Sequence, residues 1–216
     1  MGVVLGFLRR RGAARLLLCS VTAVGLVACA PHSPARGVDQ QNVGETAITD
    51  YIDGYTCDGV KWVSEVGQTF VAGRTGLLDR VSLNFGPISA SSTPPIVTIR
   101  TVRADGAPGE TVLGSGSYAG PGTPPGSSGL TVDVSMSRPA FVIAGHHYAL
   151  VVGVPSVVGC PSGSIYGWYV FGTTNLYAHG ELWSRGNLYA RPDWVKDYEG
   201  NHDLLFKTWV TGAHAS

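Results

Sequence analysis

Beyond residue 37 the dominant signal along the chain has period two. In residues 80–85, Val81, Leu83 and Phe85 alternate with Arg80, Ser82 and Asn84, the pattern of a strand buried on one face. Val66, Gln68 and Phe70 repeat that spacing just upstream, and residues 72–76 (Ala-Gly-Arg-Thr-Gly) supply the turn between the two runs. Residues 96–102 are rich in β-branched side chains and stop at Asp105-Gly106-Ala107-Pro108-Gly109, a cluster of turn formers. Residues 130–134, 141–143, 148–154, 165–171 and 204–210 read as further strands, and 120–129 as a Pro/Gly/Ser loop. No window of eleven or more residues carries a helical stripe. Many short strands at regular spacing predict an all-β chain, an antiparallel β-sandwich.

The first thirty residues follow another logic. Arg9, Arg10, Arg11 and Arg15 precede an apolar run over residues 16–28, too short to span a bilayer at about 20 residues per crossing. Such a pairing reads as a secretory signal. The run ends Leu26-Val27-Ala28-Cys29 and resembles the lipobox of bacterial lipoproteins, which implies cleavage before Cys29 and acylation of its thiol. The expected organisation is a lipoprotein signal peptide over 1–28, a lipidated tether over 29–37 and one β-sandwich domain over 38–216. The expected location is the cell membrane, lipid-anchored, on its extracytoplasmic face. The other reading is an ordinary signal with a chance cysteine.

Charge then narrows the partners. The chain has 216 residues with 15 basic and 15 acidic side chains. Loss of residues 1–28 removes four arginines, so 11 basic residues face 15 acidic ones and the net charge is −4. A mildly acidic domain argues against nucleic acid and against electrostatic attraction to anionic lipid. Membrane attachment is then expected through the lipid alone. With Cys29 acylated and Cys19 removed, Cys57 and Cys160 have one available pairing, and an exported compartment permits a disulfide. The bond would close a 103-residue loop, worth about 4–5 kcal/mol in the chain-entropy model. Two free buried thiols are the alternative.

Val38-Asp39-Gln40-Gln41-Asn42, residues 66–73 (Val-Gly-Gln-Thr-Phe-Val-Ala-Gly) and 76–83 (Gly-Leu-Leu-Asp-Arg-Val-Ser-Leu) resemble the opening of the choice-of-anchor R type β-sandwich of bacterial surface and secreted proteins. Residues 104–110, Phe141, 147–152, Tyr177-Ala178-His179-Gly180, Trp194 and 203–207 continue the likeness. The insertion at Cys57 to Trp62 and the Cys160-Pro161 loop depart from it. The resemblance implies a jelly-roll-like fold and a surface location, and no catalytic residues.

The residues themselves favour binding over catalysis. No GxSxG elbow, P-loop or HExxH occurs. His146 and His147 are adjacent on an expected strand and so point to opposite faces, while His179 and His202 fall in expected loops. Asp39 and Asp203, near the two ends of the domain, are candidates to share a structural calcium if the terminal strands pair; no other cofactor is indicated. Trp183, Tyr189 and Trp194 lie among Asn187, Asp193 and other polar residues between expected strands, where flat rings beside hydrogen-bonding groups suit a sugar. The competing role is a satellite core over one end of the sandwich. The expected function is therefore a non-enzymatic envelope module recognising a glycan or another envelope component. The alternatives are a structural or adhesive module that binds protein partners and, third, an unrecognised hydrolase.

Overall fold

The computed structural model describes residues 35–43, 48–54, 64–85, 94–118, 130–153, 166–171, 177–186, 191–196 and 202–212. These residues contain no helix and form β1 (Arg36–Asn42), β2 (Ile48–Gly54), β3 (Ser64–Val71), β4 (Gly76–Phe85), β5 (Ile96–Val102) and β6 (Pro108–Ser117). The series continues with β7 (Leu130–Val142), β8 (His147–Gly153), β9 (Tyr166–Phe171), β10 (Leu182–Gly186), β11 (Arg191–Lys196) and β12 (Phe206–Gly212). Ten strands make one antiparallel sheet in the order β1-β12-β4-β7-β6-β5-β8-β3-β10-β11, curled into a half-barrel. β2 and β9 pair as a separate antiparallel ribbon. The all-β, sandwich-like architecture expected from the alternation is the one observed.

One strand makes the corner. Residues 130–134 and 141–143 were expected as two strands and are one, β7, because the interval between them changes partner rather than leaving the sheet. β7 pairs with β4 up to Arg80↔Ser135 and again from Leu78↔Ala140. The residues between bond to β6 instead, at Gly116↔Met136 and Ser115↔Arg138. A strand that shifts register and switches partner is how a sheet turns through a corner. It divides the sheet into a first wing, β1-β12-β4-β7, and a second, β6-β5-β8-β3-β10-β11.

The core fills the space between the wings. Leu78, Val81, Leu83 and Phe85 of β4 meet Phe70 of β3, Val97 and Ile99 of β5, and Tyr148, Leu150 and Val152 of β8. Phe206 sits among the rings, 6.2 Å from Phe70 and 5.2 Å edge-on to Tyr177. A polar clasp closes the open side. Fully buried Gln68 donates from Nε2 to Asp203 Oδ1 at 2.8 Å and accepts the Leu204 N–H through Oε1 at 2.8 Å. Asn42 donates to the Leu204 carbonyl at 2.9 Å, so both terminal segments are fixed to β3.

Five strands, β1, β2, β6, β10 and β11, escaped the alternation reading. β6 carries Gly109, Gly114 and Gly116, and its first residues look like a turn. β10 and β11 are five and six residues long, too short to establish a period. β1 begins at Arg36, paired with Thr211, so residues 36 and 37 belong to the sheet and not to the expected tether.

Candidate functional site

Two outward faces of the sheet combine tryptophan, arginine and carboxylate. On the second wing, Trp183 and Trp194 stand on β10 and β11, not in the connecting loop expected for them. Alternation puts Leu182 into the core and Trp183 on the far side, and the pairing Trp183↔Lys196 places Trp194 on that side too. There the indoles pack with Ala107, Ala149 and Val151 in a second apolar cluster, each only 6% exposed. Two glycines make room. A Cβ on Gly67 would lie 2.7 Å from the Pro108 ring and 3.4 Å from the Trp194 indole. Gly106 has φ +87°, which lets the β5–β6 turn bend back toward Trp183.

An ion network frames these rings. Arg100 donates to Glu65, Arg185 donates from Nε to the other Glu65 oxygen at 2.5 Å, and Arg185 also donates to Glu110. The hydrogen bond from Arg185 holds the Glu110 carboxyl below its ordinary pKa. The Arg185 guanidinium lies 4.6 Å from the Trp194 ring centroid and the Lys196 ammonium 5.6 Å from that of Trp183. Asp193 is exposed, accepts from Arg103 at 2.7 Å and is lowered in pKa chiefly by that bond. The structure thus gathers Trp183, Trp194 and Asp193 at one place, with the rings covered and the carboxylate committed to Arg103. Tyr189 and Asn187 lie outside the described residues.

The first wing presents its side chains differently. Phe206 of β12 turns into the core, and Trp209, on the opposite face, is half-buried on the outside. The Trp209 Nε1–H donates to Ser82 Oγ at 3.1 Å, and Ser82 donates to Asp133 Oδ1 at 2.5 Å. Arg80 donates to Asp133 Oδ2 at 3.0 Å, and its guanidinium lies 4.0 Å from the Trp209 centroid. Beside this relay is a cleft of about 210 Å³. Asn42, Ser82, Asn84, Thr131 and Lys207 give it hydroxyl, amide and ammonium groups; Val43, Leu83 and Leu205 give it an apolar part. The Asn84 Oδ1 is buried with no hydrogen-bond partner. A buried acceptor left unpaired costs about 1–3 kcal/mol. The volume falls below the roughly 300–1,000 Å³ of drug-sized pockets and suits a single small ring. Sequence reasoning missed this cleft, although the polar half of the 80–85 alternation had already turned Ser82 and Asn84 outward.

The remaining candidates occupy other settings. β1 and β12 pair as the calcium expectation required, with Asp39 at a register shift of β1. Asp203 is fully buried and accepts from Gln68 and from the Tyr177 N–H at 3.0 Å, so both oxygens face donors rather than an open coordination site. Burial, aided by the charges of Asp39 and Asp203, pushes the Tyr177 hydroxyl up to about 12. That hydroxyl donates to Gln40 Oε1 at 2.9 Å. Among the described residues no group of three or more His, Cys, Asp or Glu is placed to hold a metal ion. His146 is in the turn before β8 rather than on the strand, and both it and His147 are exposed. His179 is exposed in a turn, 6.0 Å edge-on to Tyr177, and His202 is half-buried beside Asp203. Cys29, Cys57 and Cys160 lie outside the described residues. No protein family, curated protein or solved structure matches the chain.

Proposed function

We propose that this chain is an exported, lipid-anchored, non-enzymatic module of the cell envelope that binds a carbohydrate or a similarly hydroxylated envelope component. The observation that carries the reading is the cleft on the first wing, where Asn42, Ser82, Asn84, Thr131 and Lys207 stand beside an apolar wall. Two amides, two hydroxyls and a cation beside an apolar wall match a polyol, which offers hydroxyl donors and C–H surface together. Ser82 is a poor candidate nucleophile, because its proton is directed at a carboxylate held by Arg80, with no described histidine in the relay. The resemblance to surface β-sandwiches, the Cys29 lipobox and a Cys57–Cys160 disulfide complete the proposal.

The test is a glycan array probed with the full-length protein in detergent, alongside Asn84→Ala and Lys207→Ala. Retention of a glycan by the wild type and its loss in both variants, at unchanged melting temperature, supports the reading. Binding that survives both substitutions, or no binding on a broad array, overturns it. The alternative, a surface module for protein partners, draws on the exposed side chains of Leu77, Phe141 and Ile143, for which the fold suggests another use.

A further inference from the structure

Leu77 and Phe141 are register partners on the outer face of β4 and β7 and are 46% and 52% exposed. Ile143, just past the end of β7 and two residues on from Phe141, is 43% exposed. Isolated exposed apolar residues are ordinary; three adjacent ones make a patch. Its position gives it meaning. Pairing runs in one row from Arg36 to Thr211, to Leu77, to Phe141. At about 4.8 Å per strand, the start of β1 lies about 14 Å from Phe141. Cys29 precedes Arg36 by seven residues, which reach about 25 Å at most. A lipid on Cys29 would therefore hold the start of β1 within about 25 Å of the surface in which that lipid is seated.

We propose that the Leu77–Phe141–Ile143 patch is a membrane-contact surface that rests on the lipid bilayer at the point of anchorage; this rests on the reading of Cys29 as lipidated. The neighbouring groups suit a headgroup layer. Arg36, paired with Asp79 at 2.6 Å, and Arg74, whose guanidinium lies against Gly37 and Gly212, border the patch, and Ala144 and Gly145 are exposed beside it. A net charge of −4 gives no long-range attraction, so the contact is apolar and local, and the anchor supplies the proximity. A second copy of the chain is a poorer occupant, because three side chains cannot supply the roughly 1,000 Å² that a stable interface needs. The consequence is orientation. Asn84 stands seven residues along β4 from Leu77, about 24 Å, so the cleft lies at the end of the strand remote from the anchor.

The experiment is hydroxyl-radical footprinting of the lipidated protein in phosphatidylethanolamine/phosphatidylglycerol vesicles. The control is the same protein released by a protease site inserted after residue 33. At least three-fold slower oxidation of Leu77, Phe141 and Ile143 in the anchored form is expected, with Ile96 and Leu130 at the other end unchanged. A Leu77→Asp/Phe141→Asp variant, with the wild-type melting temperature, should restore oxidation of Ile143. Equal rates in anchored and released protein, with the acyl mass present on Cys29, overturn the patch and leave the anchor standing. Absence of that mass overturns the anchor itself and the patch with it. Protection that persists after release, or rises with protein density in the vesicles, overturns the proposal in favour of contact between copies.

Discussion

The two outer faces of the sheet are built from the same parts and differ in what they leave open. Each has a guanidinium stacked on an indole, Arg185 on Trp194 at 4.6 Å and Arg80 on Trp209 at 4.0 Å. In each, carboxylates hold the guanidinium, Glu65 and Glu110 in one case and Asp133 in the other. On the second wing, Gly67 lets an indole lie against bare strand, and the β5–β6 turn comes up to Trp183. The rings become core, and their Nε1 atoms are left buried with no partner. On the first wing, the residue under the ring's edge is Ser82, which accepts the indole N–H and donates its own O–H to Asp133. There the ring stays half-open beside a polar cleft. Tryptophan content alone does not decide whether a ring is covered; the residue opposite the ring does.

Truncation should separate the two faces most strongly. Trp183→Ala and Trp194→Ala remove rings that are 6% exposed, so each is expected to cost about 3–5 kcal/mol in unfolding free energy. Trp209→Ala removes a half-buried ring and should cost about half as much. Urea melts of the three variants check this. Equal losses at all three positions would erase the contrast between the covered rings and the half-open one.

Much of the fold was legible because alternation survives wherever one face is buried. The run from Val81 to Phe85 fixed both its strand and its face, and that same run placed Ser82 and Asn84 outside. The β10–β11 hairpin was not legible. Its strands are short, and its buried indoles sit among Ser184, Arg185 and Asp193, polar residues that in sequence resemble a loop. Their polarity is absorbed by partners far along the chain: Arg185 by Glu65 and Glu110, and Asp193 by Arg103. Such pairings have no local signature. The cleft depends on Asn42, Asn84, Thr131 and Lys207 from four different strands or their flanks, and only the topology brings these together.

A smaller effect probes why the second wing closed. Gly67→Ala puts a Cβ 2.7 Å from Pro108, a contact the ring or the strand must relieve by moving. Overpacking of this kind typically costs about 1–3 kcal/mol. The loss should be smaller in a Trp194→Ala background, where the cluster has room to shift. A double-mutant cycle measures the coupling, and strict additivity would show that Gly67 is not what admits the indole.

The smallest effect concerns protons, and here the wings have opposite signs. Glu110, on the second wing, is held below its ordinary pKa by Arg185, so its contribution is present above the unfolded value and fades as pH falls. Asp39, on the first wing, is raised from 3.8, with burial outweighing the Gly73 and Arg74 amides and the Arg74 charge. A raised carboxyl favours the fold while protonated. That contribution is complete below the unfolded pKa and lost as pH rises through the folded one. At pH 7 Asp39 is therefore a charge the fold would do better without. Asp39→Asn keeps the shape of the neutral acid, so it should raise the melting temperature at pH 7 and leave it nearly unchanged at pH 3. Glu110→Gln should do the reverse, lowering stability at pH 7 and losing its effect in acid. Melting curves across that range decide the matter: an Asp39→Asn variant less stable than wild type at pH 7 would mean that the carboxylate is engaged by a cation or a donor strong enough to reverse the cost of burial.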